Sequence, residues 1–303
     1  MTGGRKAPDA WGDFWESQSN QGGGGCLSAR WQVIDEAQRG AWRSFARLLP
    51  PKAKLLDLAT GDGRVMGWLI EARRDVRPMG VDLARQLPPP PRGSRSRGGI
   101  AMEALPFPDR SQDAVVSQFG FEYGQIDEVL AEIARVLRPQ GWVGLMTHRL
   151  DGPILEHNVT RRDGLNWVVG ETGLIDKARA SLALRAMGFG PPPAIMEAPA
   201  EARRRFGEGS AAWELSEAIA RTLSLGRNDR PEEVARLLAK LEDMARNEIG
   251  RIDSLEQACR RVADQPALEG LFGRAGLALE AHDHVKERGT GRPFADFWTL
   301  RAG

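Results

Sequence analysis

The stretch that most constrains the fold is residues 54–65, which read KLLDLATGDGRV. It begins as an apolar strand, passes through a turn of small residues at Ala59, Gly61 and Gly63, and continues into a helical pattern of apolar residues. Glycines at such a turn let the backbone approach a ligand closely, because no Cβ stands in the way. A buried strand, a glycine-rich turn and a helix N-terminus together predict a nucleotide site in an α/β domain.

The spacing of the small residues narrows the kind of nucleotide site. The dinucleotide pattern G-x-G-x-x-G needs a third glycine, but Met66 or Arg64 stands there, depending on which residue starts the count. The phosphate-loop ending Gly-Lys-Ser/Thr is also absent. The pattern that fits is D-x-G-x-G-x-G from Asp57 to Gly63, with Ala59 at its first glycine.

Three later stretches follow this turn in a consistent order: GVDLA at 80–84, EALPFPDRSQDAVVS at 103–117 and IARVLRPQGWVGLM at 133–146. With the turn, they resemble the class I S-adenosylmethionine-dependent methyltransferases. The resemblance is to the branch with small-molecule substrates, which includes quinone-biosynthesis C-methyltransferases, and it covers roughly residues 50–150 and the C-terminal strands.

This resemblance implies an α/β fold: a Rossmann-like, seven-stranded class I methyltransferase sheet with a helical insert between strands five and six. The last strand would insert antiparallel between strands five and six. The expected parts are an N-terminal arm and helix over 1–50, a cofactor-binding core over 51–150, a helical insert over 151–270 and closing strands over 271–303. The insert is interpreted as a substrate lid, with a dimerisation surface as the alternative.

The periodicity of apolar residues predicts the individual elements. Helices are expected over 29–49, 64–73, 126–137, 173–187, 211–225, 231–249 and 254–262. Strands are expected over 54–58, 78–82, 100–103, 113–118, 142–147, 277–285 and 294–300. Residues 85–99 contain four consecutive prolines, which exclude a helix and predict a polyproline-like stretch that then becomes flexible. Its arginines suggest either a docking site for an acidic group or a solvated loop.

The resemblance also assigns the cofactor, S-adenosyl-L-methionine, and its contacts. Residues that would cradle its methionine part are Asp57, Ala59, Gly61 and Gly63; Asp82 would hold the ribose; Leu83, Met102 and Glu103 would frame the adenine; Gln118, Phe119 and Gly120 would line the methyl-transfer side. Two positions depart from the family. Ala101 stands where an aspartate often bonds the adenine amino group, and Ala59 is expected to be tolerated if its φ stays negative.

Candidate catalytic residues are few, because methyl transfer from a sulfonium mainly requires proximity and alignment. An oxygen or nitrogen acceptor that must lose a proton needs a base. His148, at the end of strand five, and His157, at the entry to the insert, are the candidate bases, and Tyr123 is a candidate substrate contact. His282 and His284 have a metal-like spacing, but no third ligand is evident, so no metal is predicted.

The composition restricts the kinds of partner and the cellular location that are expected. With 42 basic and 41 acidic residues the chain has a net charge of +1, which disfavours a nucleic-acid binder. The two cysteines, Cys26 and Cys259, match no metal spacing and indicate reduced thiols in a cytoplasmic protein. Neither a signal peptide nor a membrane-inserted segment is expected.

The sequence thus favours a methyltransferase of a small, aromatic or apolar metabolite, with a homodimer as an open question. A protein or RNA methyltransferase and a non-catalytic scaffold are the alternatives. The segment WGDFW at 11–15 is either a staple on the core or a flap over the site.

Overall fold

A computed structural model of the chain describes residues 32–185 and 188–303. The segment 11–15 and Cys26, on which two predictions rest, lie outside the described residues. The first elements are α1 (Gln32–Ala46), β1 (Lys54–Leu58), α2 (Arg64–Ala72), β2 (Arg77–Asp82), β3 (Arg95–Gly98), β4 (Gln112–Gln118), α3 (Ile126–Val136) and β5 (Leu137–His148). They are followed by α4 (Pro153–Asn166), α5 (Leu174–Leu182), α6 (Pro193–Phe206), α7 (Ala211–Leu225), α8 (Pro231–Arg261), α9 (Gln265–Arg274), β6 (Leu277–Lys286) and β7 (Pro293–Ala302).

The strands form one seven-stranded sheet in the order β3-β2-β1-β4-β5-β7-β6. The first five strands are parallel, and β7 lies antiparallel between β5 and β6. Only helices are described between β5 and β6. This arrangement confirms the predicted fold class, including the antiparallel position of the last strand.

The sheet buries an apolar core on the side covered by α3. The central strands read as apolar runs because both of their faces are covered. On α3 the side chains of Val129, Ile133 and Val136, spaced four and three residues apart, are buried against Leu56 and Val115 of the sheet. This core fixes the carboxyl ends of β1, β2, β4 and β5 at one edge, where the predicted site residues lie.

The described residues divide into two compact units. Among the described residues, one unit contains Glu156–Asp253, and the other contains residues 32–155 together with Ser254–Gly303. The unit Glu156–Asp253 has an apolar core of its own, with Ile219 and Leu223 of α7 and Leu238 of α8 fully buried in it. Within the described parts of the chain, no helix is long and apolar enough to cross a bilayer.

The prediction of a third strand at 100–103 is wrong. The strand is Arg95–Gly98, which pairs in parallel with β2 from Met79 to Asp82. An edge strand is partly solvated, so its sequence, RSRG, carries no apolar signal. Residues 95–98, expected to be flexible, are therefore part of the sheet.

The proline stretch between β2 and β3 contains no helix, as predicted, but it is not simply a solvated loop. Pro91 packs against the turn after β1: a Cβ added to Gly63 would lie only 2.7 Å from Pro91 Cδ. The Ser94 hydroxyl donates to the Pro91 carbonyl at 2.7 Å. The stretch therefore forms one wall beside the turn.

The helices after β5 depart furthest from the prediction. Residues 231–249 and 254–262 form the single helix α8, which runs through Gly250. A helical glycine costs only about 1 kcal/mol relative to alanine, and the buried Ile252, Leu255 and Ala258 continue the apolar face. The helix predicted over 173–187 ends at Leu182. Helices α4, α6 and α9 were not predicted; α6 contains Pro193 and Pro199, which read as helix breakers.

Candidate functional site

The turn after β1 is fixed by hydrogen bonds among its own residues and β2. The Thr60 hydroxyl donates to Asp57 Oδ2 at 2.6 Å, and the Thr60 N–H donates to the Val81 carbonyl at 3.0 Å. Gly61 and Gly63 have φ of 53° and 73°, the left-handed region that favours glycine. Thr60, Gly61 and Gly63 thereby lead the chain from the end of β1 into α2.

Ala59 does not meet the condition of a negative φ under which alanine was expected to be tolerated. Its φ is 51°. Alanine adopts this conformation at a cost of about 1 kcal/mol or more. Its methyl group lies against Gly120, where an added Cβ would be only 2.3 Å away. The end of β1 and the segment after β4 are therefore in direct contact.

Asp82, at the end of β2, accepts two backbone hydrogen bonds. Gly61 N–H donates to Oδ2 at 2.9 Å, and Ala84 N–H donates to Oδ1 at 2.9 Å. Each carboxylate oxygen keeps a second lone pair with which it can accept from a ligand hydroxyl. Asp82 thus joins the turn after β1 to the end of β2 and offers its remaining acceptors at that edge.

Three carboxylates lie at this turn, and one of them, Asp62, is paired with Arg64 at 2.8 Å. The pKa of Asp57 is raised to about 7, mainly by burial and also by the nearby Asp62 and Asp82, against the hydrogen bond from Thr60. Burial also raises the pKa of Asp82, against hydrogen bonds from backbone N–H groups. A cationic ligand beside these two carboxylates would favour their ionised forms. The carboxylates at this turn therefore fit a cofactor that carries sulfonium and ammonium charges.

The predicted adenine contacts lie beside Asp82. The segment that follows β3 is tied to β2 by Ile100 N–H, which donates to the Asp82 carbonyl at 2.9 Å. Leu83 is 53% exposed, unusual for leucine, and Met102 is partly buried. Glu103 Oε1 accepts from Gln125 N–H at 2.9 Å, just before α3. Leu83 thus remains accessible to a ligand, whereas Glu103 also serves the start of α3.

Gln118 connects the end of β4 to α1. Its Oε1 accepts from Trp42 Nε1 at 2.6 Å, and its Nε2 donates to Gln38 Oε1 at 3.2 Å. Phe119, the next residue, has φ of 55°. The Gln118 amide is therefore engaged in holding α1, which the sequence did not reveal.

His148 at the end of β5 lies in a group that the sequence only partly predicted. Its ring stacks on Phe119, with ring centres 4.0 Å apart and planes at 24°, and Tyr123 approaches edge-on at 6.3 Å. Glu122 Oε1 lies 2.8 Å from His148 Nδ1 and accepts from the His148 N–H at 3.0 Å. Glu122 was missed; the available signal was an acidic residue inside the aromatic segment FGFEY.

His157 lies in α4, in the unit Glu156–Asp253. Its role as a base stays a prediction.

His282 and His284 acquire a third neighbour, contrary to the expectation that nothing accompanies them. Asp296 on β7 lies beside them, and one donor atom from each of the three residues falls within 4.8 Å of the others. Arg149 Nη1 donates to Asp296 Oδ1 at 2.8 Å and lies 3.2 Å from His284 Nδ1. Because a guanidinium already neutralises the carboxylate, this group fits an ion pair better than a metal site.

Comparison with known proteins agrees with the fold. Residues 56–145 match the family model of a methyltransferase domain. A malonyl-[acyl-carrier protein] O-methyltransferase of Methylococcus capsulatus is 33% identical over 105 residues, which are 32% of this chain and 38% of that protein. A demethylmenaquinone methyltransferase of Deinococcus radiodurans is 36% identical over 122 residues, which are 37% of this chain and 50% of that protein.

The chain spans half or less of the length of these two curated relatives. A solved structure, the 1,6-didemethyltoxoflavin-N1-methyltransferase of Burkholderia thailandensis, overlaps 100% of this chain and 91% of its own, with a TM-score of 0.45 and 13% identity. The fold assignment rests instead on the strand order. Together, the strand order and the domain match confirm the prediction of a class I methyltransferase core.

Proposed function

We propose that this chain is an S-adenosylmethionine-dependent methyltransferase that acts on a small, aromatic or otherwise apolar metabolite. The observation that carries this is the position of Asp82. It is a buried carboxylate at the end of β2, bonded to Gly61 N–H of the glycine turn, within a class I methyltransferase sheet. A carboxylate in this position can accept hydrogen bonds from ribose hydroxyls.

Different residues along the carboxyl edge of the sheet contact different parts of the cofactor. The turn with Asp57, Ala59, Gly61 and Gly63 holds the methionine part, where the carboxylates favour a cation. Leu83, Met102 and Glu103 frame the adenine; Gln118, Phe119 and Gly120 line the methyl-transfer side. When bound, the cofactor supplies an electrophilic methyl group on a sulfonium.

We assign the substrate side to His148 and Tyr123, with His157 as a further candidate base. The unit Glu156–Asp253 has its own buried core, which suits a substrate lid; a homodimer interface is the alternative. The name of the Deinococcus radiodurans relative gives demethylmenaquinone as its substrate, which supports a small-molecule acceptor. The name of the Methylococcus capsulatus relative gives a malonyl group held on a carrier protein. A cytoplasmic location agrees with the sparse use of cysteine.

The test is transfer of labelled methyl groups from S-adenosylmethionine to a panel of hydroxyquinones, phenols, nitrogen heterocycles and carboxylic acids. We expect turnover of at least one class by the wild type and none by Asp82→Ala. A second candidate, a non-catalytic scaffold, is favoured by the strained Ala59 at the first glycine position. Cofactor binding without turnover of any acceptor would support the scaffold.

A further inference from the structure

Glu122 is a buried acidic residue for which the proposed cofactor site gives no role. Its side chain is 0% exposed. Oε1 contacts only the backbone N–H and the Nδ1 atom of His148, and Oε2 has no hydrogen-bond partner within the described parts of the chain. A buried carboxylate is costly unless it is paired, and the hydrogen-bond donors that pair with this one belong to a single histidine.

The pairing determines which nitrogen of His148 is available. An ionised carboxylate only accepts hydrogen bonds, so Nδ1 must carry a hydrogen, and Nε2 of the neutral ring then has a free lone pair. Nε2 has no partner among the residues that the structure describes. Stacking on Phe119 holds the ring plane. Both the tautomer and the orientation of His148 are therefore fixed.

The pair also lies where a base is needed. His148 ends β5 and Phe119 follows β4, at the same edge of the sheet as the turn after β1. Gly120, next to Phe119, is in contact with Ala59 of that turn. Contacts thus run without a gap from the proposed cofactor cradle to the histidine.

We infer that Glu122 is a positioning residue that makes His148 Nε2 a general base, and that the acceptor is a weakly acidic O–H or N–H group. This inference rests on the proposed function. In the assigned step the acceptor's O–H or N–H bond breaks, its electron pair stays on the acceptor atom, and the proton moves to Nε2. The Glu122 charge stabilises the resulting imidazolium. A carboxylic acid, already ionised near neutral pH, would need no such pair.

The direct test is nitrogen-15 NMR of histidine-labelled protein saturated with S-adenosylhomocysteine, with His148→Asn used to assign the signal. We expect wild-type His148 to carry its hydrogen on Nδ1. In Glu122→Ala, which removes the acceptor, the hydrogen of the neutral His148 ring should move from Nδ1 towards Nε2. Glu132→Ala, which removes a carboxylate bonded to Arg135 and Leu105, should leave the hydrogen on Nδ1.

The inference fails if wild-type His148 carries its hydrogen on Nε2, a result that needs neither a Glu122 variant nor a substrate. It also fails if Glu122→Ala folds normally and His148 still carries its hydrogen on Nδ1 as in the wild type.

The activity test uses the labelled-methyl panel. With phenol or N–H acceptors, Glu122→Gln should lower kcat about 10- to 100-fold with little change in KM. Turnover of carboxylic acids alone would overturn the inference and leave the methyltransferase intact. Failure to bind S-adenosylmethionine would instead overturn the proposed function, while the NMR result still decides how Glu122 acts on His148.

Discussion

The methyl group of Ala59 occupies the space that a side chain at Gly120 would need. A Cβ on Gly120 would lie 2.3 Å from the Ala59 Cβ, closer than two carbons can approach. Ala59 stands where the motif has its first glycine, and it keeps a φ of 51°. The absence of a side chain at position 120 therefore accommodates the presence of one at position 59.

This relationship predicts a non-additive pair of substitutions. Gly120→Ala should lower the free energy of unfolding by about 1–3 kcal/mol through overpacking. Ala59→Gly relieves an unfavourable φ and should stay within about 1 kcal/mol of the wild type. The double variant should recover at least half of the loss, because the clash is gone. Urea denaturation of the four proteins measures the coupling, and strictly additive effects would contradict a shared space.

A second prediction concerns pH. The pKa of Asp57 is about 7 in the folded protein, because of burial, against an ordinary value of 3.8. Between these values the folded chain binds a proton that the unfolded chain has lost, so stability falls as pH rises from about 4 through 7. The loss amounts to at most about 4 kcal/mol, at about 1.4 kcal/mol per unit.

The check is urea unfolding of the wild type and Asp57→Asn between pH 4.5 and 8. The stability of the wild type should decline relative to that of the variant as pH rises. Parallel curves for the two proteins would show that Asp57 is not the titrating group.

A third prediction concerns the unit Glu156–Asp253. Ser216 on α7 is fully buried, and its hydroxyl has no hydrogen-bond partner in the parts of the chain that are described. Ser216→Ala should therefore stabilise the protein by about 1 kcal/mol, since it removes an unsatisfied polar group and favours the helix. Ser181 is a matched control, because its buried hydroxyl donates to the Ala178 carbonyl at 2.7 Å.

Thermal unfolding followed by circular dichroism should show a higher midpoint for Ser216→Ala and no increase for Ser181→Ala. Equal shifts in both variants would mean that helix propensity alone accounts for the effect.

The central sheet could be predicted from the sequence because its strands are buried on both faces. Leu55, Leu56 and Leu58 form an apolar run, and the small residues after them mark where it ends. The edge strand Arg95–Gly98 could not be predicted, because a partly solvated strand needs no apolar residues. At Gly250 the prediction ended a helix that in fact continues, because one glycine does not interrupt a helix with a continuous apolar face.

In the candidate site, too, features with a local sequence pattern could be predicted and features that depend on distant contacts could not. Asp57 and Asp82 were found because each lies at the carboxyl end of an apolar strand. The pairing of Glu122 with His148 spans 26 positions and joins the segment after β4 to the end of β5, so no local pattern contains it. The positive φ of Ala59 depends on what packs against the turn, which is also invisible locally.

The most direct test of the central claim is calorimetric titration with S-adenosylmethionine and S-adenosylhomocysteine. The proteins are the wild type, Asp82→Ala and Asp113→Ala. Asp113 is a matched control, because it accepts from Lys54 N–H and Arg138 at the other end of the sheet. We predict that Asp82→Ala loses binding at least 100-fold, while Asp113→Ala binds like the wild type. Failure of the folded wild type to bind either ligand would contradict the account, as would unchanged binding by Asp82→Ala.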